Sequence, residues 1–116
     1  MRSLCLFLAL GLLAAGREGN FTIRFEPKAM LQTQAQIPFE ITVTNALRQP
    51  VREAKVTLQI ETKDHQNVTI FKAPEVTPGV YLAKPVFPEA GEWSVYVEVH
   101  RNDQFTARTL EYTVSK

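Results

Sequence analysis

Three side chains past residue 16 offer soft or borderline donor atoms: the thioether of Met30 and the imidazoles of His65 and His100. Thioether and imidazole together suit Cu(I), which makes Met30 and His65 the candidate metal pair and copper the candidate cofactor. An imidazole beside a carboxylate is also the raw material of a general base, and Asp64 directly precedes His65. Adjacent residues on a hairpin point apart, however, and no G-x-S-x-G turn presents a serine for such a base to activate. Glu89 and Glu92 form an acidic pair of the kind that covers ordinary protein surface. Phosphate-binding loops need glycines opening a helix, and residues 17–116 hold no helical periodicity. The expectation is a chain that is not an enzyme, has no catalytic residue, and holds no cofactor unless copper sits at Met30 and His65.

The elements that place these residues are strands. Trp93, Val95, Val97 and Val99 alternate with Ser94, Tyr96 and Glu98, the period of a strand with one face on a core. Phe21, Ile23 and Phe25 alternate in a first strand that stops before Pro27. Phe39, Ile41 and Val43 face inward from a second over 37–44, and Val56, Leu58 and Ile60 build a third. Residues 63–67 are a polar hairpin loop leading to a short fourth strand at 68–70, which ends by Pro74. Thr77-Pro78-Gly79 turns into a fifth at 80–84, and Pro85 and Pro88 exclude its continuation as a central strand. The sixth spans 93–99. The seventh, 105–114, shifts its alternation between Ala107 and Leu110, as a bulge would cause. Seven short strands separated by Gly, Pro, Asn or Asp predict an all-β, seven-stranded antiparallel β-sandwich.

Hairpin connections then put the loops near 27–36, 62–67 and 85–92 at one end, and those near 45–52, 74–79 and 100–104 at the other. Met30 and His65 share an end. His65 and His100 stand a strand length apart, on the order of 20 Å, too far to share an ion.

Residues 1–16 have the make-up of an export signal. Arg2 is followed by a ten-residue apolar segment at 4–13 and by the small residues Ala14, Ala15 and Gly16. Ten residues fall short of the ~20 that cross a bilayer as a helix. The segment reads as a signal peptide or a short uncleaved anchor, and only through it would the chain meet a membrane. Residues 17–116 form one domain with an extracytoplasmic location: secreted, periplasmic or on the cell surface. Cys5 is the only cysteine, so cleavage leaves no thiol. Loss of Arg2 takes Lys plus Arg from 13 to 12, equal to the 12 Asp plus Glu. Zero net charge with both signs interspersed argues against nucleic acid or an anionic membrane surface as partner. Two N-x-T triplets, at Asn20 and Asn67, are incidental in strands this rich in threonine.

Several of these residues recur in a known pattern. Pro50-Val51-x-x-Ala54-x-Val56-x-Leu58, then Gly79-Val80-Tyr81, Phe87, and Ala90-Gly91-x-Trp93-x-Val95-x-Val97 resemble the YtkA-like domain, an immunoglobulin-like module of exported bacterial proteins. The similarity covers roughly residues 20–114. It implies an accessory role outside the cytoplasm, which in some relatives looks like metal handling or respiratory assembly. Many relatives carry Met and His between the third and fifth strands; here residues 61–77 contain His65 but no methionine.

Within that pattern Gly79, Tyr81, Gly91 and Trp93 are structural. The glycines suit turns closed to other residues, and Trp93 buries ~200 Å² between the sheets. What remains is protein binding. The expected partner is another exported or membrane protein, contacted through loop ends or a free strand edge. Pro85, Val86, Phe87 and Pro88 put apolar groups beside a turn and form the candidate interaction loop, unless Phe87 plugs the end of the core.

Overall fold

Strict alternation along the chain becomes, in the computed structural model, two sheets packed face to face; it describes Arg17–Glu18 and residues 20–116. The leader read from residues 1–16 lies outside the described residues. In chain order the strands are β1 (Arg17–Glu18), β2 (Thr22–Pro27), β3 (Phe39–Thr44), β4 (Lys55–Thr62), β5 (Val68–Lys72), β6 (Glu75–Thr77), β7 (Val80–Ala83), β8 (Gly91–Arg101) and β9 (Gln104–Val114). The first sheet runs β1-β9-β8-β4-β5 and the second β2-β3-β7-β6. All pairs are antiparallel except β1 with β9. The fold is the expected all-β sandwich, with nine strands among the described residues rather than seven. The additions are the two-residue β1 and the three-residue β6, both too short to show a period.

Every second residue of the central strands faces the opposing sheet. Ile23 and Phe25 on β2, Phe39, Ile41 and Val43 on β3, and Tyr81 and Ala83 on β7 meet Val56, Leu58 and Ile60 on β4 and Trp93, Val95, Val97 and Val99 on β8. Full burial of each large aliphatic side chain stabilises by about 1.5–3 kcal/mol. The aromatic rings are linked: Phe25 to Phe39 at 6.4 Å, Phe39 to Phe87 at 6.4 Å, Phe87 to Trp93 at 5.3 Å, with Tyr112 edge-on to Phe39 at 5.6 Å. Trp93 is therefore one end of an aromatic row, not an isolated plug.

The bulge expected in the last strand is absent. β8 and β9 keep one register from Gly91 opposite Val114 to Arg101 opposite Gln104. The alternation looks shifted because polar residues occupy the inner face there: Thr106 lies opposite Val99 and Arg108 opposite Val97. Arg108 reaches the facing sheet, where Nη1 donates to the carbonyl of Ile23 at 2.8 Å. Phe105 correspondingly turns outward and stacks on His100, with ring centres 5.5 Å apart. The real irregularity falls between Glu75 and Thr77 against β7, and it leaves Val76 exposed.

Loops gather at the two ends as the strand directions require. At one, Gln34 N–H donates to Phe87 O at 3.1 Å and Asn67 Nδ2 to Glu89 Oε2 at 2.7 Å. At the other, Arg101 Nε donates to Arg52 O at 2.7 Å. There the Asn45 side chain accepts from the N–H groups of Leu47 and Gln49, both at 2.9 Å, an Asx turn that holds Leu47 outward.

Candidate interaction surface

Four residues singled out by pattern serve the fold. Gly79 has φ 76°, and a Cβ there would lie 2.6 Å from Pro50 Cβ and 3.2 Å from Val43 O. Its N–H donates to Glu75 Oε2 at 3.0 Å, and its carbonyl accepts from Val43 N–H at 2.9 Å. Glu75 also accepts from Glu53 N–H at 3.0 Å, and these backbone donors hold its carboxyl below the usual range. Tyr81 is fully buried; its hydroxyl donates to Val51 O at 2.7 Å and accepts from Ala54 N–H at 3.0 Å. Burial pushes that phenol's pKa up. Gly91 has φ 128°, and a Cβ there would meet no atom within 4 Å, so its need is conformational alone. Trp93 is buried and donates its indole N–H to Glu89 O at 3.0 Å.

The proposed interaction loop folds largely inward. Pro85 and Phe87 are buried, Val86 is half-buried, and of the four only Pro88 is exposed. Phe87 sits edge-on against Trp93, which is why the bend reads as apolar. Met30 stands 79% exposed on the connection between β2 and β3. His65 lies on the β4–β5 hairpin with φ 63°, and its Nδ1 is engaged by Glu61 Oε2. Among the described residues no three His, Cys, Asp or Glu side chains are grouped to hold a metal ion.

Two arrangements escaped the sequence reading. On the outer face of β8, Glu98 accepts from Tyr96 Oη at 2.8 Å and pairs with His100 Nε2 at 3.0 Å. The bond to His100, with a further one from Tyr96, lowers the Glu98 pKa. The i, i+2 spacing of these three residues was the available signal. A shallow groove of about 440 Å³ lies between Arg24, Phe25, Glu26, Glu40, Thr42 and Arg108, and Lys28 Nζ lies 3.2 Å from Glu26 and 3.8 Å from Glu40.

The apolar surface collects elsewhere. β2 packs across from β9 and β7 across from β4, so β5 and β6 border the same side of the sandwich. That side carries Val68 (50% exposed), Ile70 (62%) and Val76 (53%). Among the described residues nothing pairs with the outer edge of β5. An open strand edge with adjoining apolar side chains is equipped to accept another strand.

The two sheets packed face to face define the class of the domain, an antiparallel β-sandwich. Within it the chain is a member of the YtkA-like family, whose profile matches residues 14–98 and so reaches from before β1 through most of β8. A comparison with curated proteins finds no match.

Proposed function

We propose that this YtkA-like chain is a non-enzymatic interaction domain working outside the cytoplasm, and that it docks to another exported or membrane protein through the side bordered by β5 and β6. The observation that carries the reading is the coincidence, on that side, of an open sheet edge with the exposed side chains of Val68, Ile70 and Val76. Backbone pairing supplies affinity in such docking, and the alternate side chains supply selectivity. The composition of residues 1–16 supports export. Within the bend at 85–88, Pro85 and Phe87 belong to the core, where Phe87 packs on Trp93, while Pro88 is exposed.

Cell fractionation of the full chain with a C-terminal tag tests the location; a product confined to the cytoplasm refutes it. A photo-activated cross-linker at position 70, compared with one at Glu111 on the exposed face of β9, tests the surface. Adducts specific to position 70 and lost with Val76→Lys support the reading. Equal labelling from both positions sinks it.

A further inference from the structure

We infer that the occupant of the β5 edge is a second copy of this chain, its β5 pairing antiparallel with the first about a two-fold axis through Ile70. This rests on the reading of that side as a docking surface and takes a second copy of the exported chain as the exported protein docked there. Ladder bonds in an antiparallel pair alternate along each strand. Ala73 N–H donates to Val56 O at 2.9 Å and Thr62 N–H to Asn67 O at 3.0 Å, which assigns the odd-numbered residues of this stretch to the bonds with β4. The N–H and C=O groups of Val68, Ile70 and Lys72, opposite Glu61, Gln59 and Thr57, therefore point away from β4 toward the open edge. All three can pair only if the axis passes through Ile70. That register closes about six backbone hydrogen bonds, against about four when the axis moves one residue either way.

The same register is complementary in charge. Ile70 faces Ile70 of the partner subunit, and Val68 faces Lys72 of the partner subunit. Val68 is flanked on its other side by Glu61 of β4. The aliphatic stem of the partner's Lys72 crosses Val68 and brings its ammonium to the Glu61 carboxylate, whose Oε2 also engages His65 Nδ1 of the same hairpin, and the symmetry repeats this pair on the other side. The apolar row is covered at its centre and each flank closes on opposite charges, a self-complementary pattern that a two-fold contact requires. A five-residue edge makes a small contact, at the weak end of specific association.

Cysteine cross-linking of the full chain, in a Cys5→Ser background and purified as the cell delivers it, reads the register directly. Ile70→Cys should form a disulfide dimer under mild oxidation, since directly opposed residues stand ~5.5 Å apart between Cα atoms. Val68→Cys alone and Lys72→Cys alone should stay monomeric, and an equal mixture of the two should cross-link. In sedimentation equilibrium Lys72→Glu and Glu61→Lys should each weaken self-association at least tenfold, and the double exchange should restore it. Trp93 fluorescence verifies that each variant is folded. Equal cross-linking of all single cysteines, a monomer at every concentration, or no rescue by the double exchange overturns the proposal. Adducts from position 70 to a different protein, with no self-adduct, also overturn it while leaving the interaction reading intact.

Discussion

Replacing Tyr81 with Phe removes one oxygen from the core and nothing else. That oxygen donates to Val51 O at 2.7 Å and accepts from Ala54 N–H at 3.0 Å, pinning the segment between β3 and β4 onto β7. Each bond contributes about 1 kcal/mol net, and a buried group left without a partner costs about 1–3 kcal/mol. Val51 is buried and Ala54 half-buried, so one orphan loses nearly all access to water and the other part of it. The expected loss is about 2–3 kcal/mol, which for a domain of this size lowers Tm by about 10–20 °C. Urea unfolding followed by Trp93 fluorescence measures the change, with an unchanged m-value showing that the folded and unfolded states kept their exposure. Hydrogen exchange at the Ala54 amide should accelerate beyond the global effect. A loss below about 0.5 kcal/mol, within the usual range of surface changes, together with unaltered Ala54 exchange, would refute the reasoning.

Trp93→Ala should cost about 3–5 kcal/mol in denaturant unfolding followed by circular dichroism; a cost near that of an exposed site would mean the aromatic row tolerates the gap. Gly79→Ala should destabilise more than Gly91→Ala, because both strain a positive φ but only the first meets Pro50 at 2.6 Å; equal Tm values would contradict this. Acid should weaken the fold through Asp64, Glu75 and Glu98, whose carboxyls are held low by Thr62, by the Gly79 N–H and by His100 respectively. Their folded pKa values lie below the unfolded ones, so the stabilisation is complete above the ordinary carboxylate range and is lost as pH falls through and below it. Melts at descending pH should show Tm dropping there, and Glu98→Gln should flatten the drop. At the alkaline end Tyr81, Tyr96 and Tyr112 are pushed up chiefly by burial, so stability should decline once pH passes the ordinary phenol value of about 10. Tyr81→Phe should show less of that decline.

The strands with one face on the core were legible because their period is local: Phe39-Glu40-Ile41-Thr42-Val43 announces its inner face without reference to any neighbour. The outer strands were harder. Phe105 and Arg108 read as a break in the pattern, since the chain alone does not disclose that an arginine spans the gap to Ile23 while a phenylalanine covers His100. The bend at 85–88 shows the same limit from the other side. Two prolines, a valine and a phenylalanine look alike whether they plug a core or face water, and only packing against Trp93 decides. The open edge of β5 depends on the order of strands in the sheet. Val68 and Ile70 hint at it by being apolar on a face where their partners Glu61 and Gln59 are polar.

The way β9 is fastened fixes where the chain enters and leaves. Arg17 lies beside Gln104 at its beginning, and Gln32 bridges Ser115 just past its end, with eleven residues of unbroken strand between. At ~3.3 Å per residue those two points are roughly 35 Å apart, at opposite poles. A tether running upstream of Arg17 would therefore carry the Met30, His65 and Pro88 loops as the far tip of a stalk, standing off by about the strand's full height, while the flank bearing Ile70 would run upright beside its neighbour.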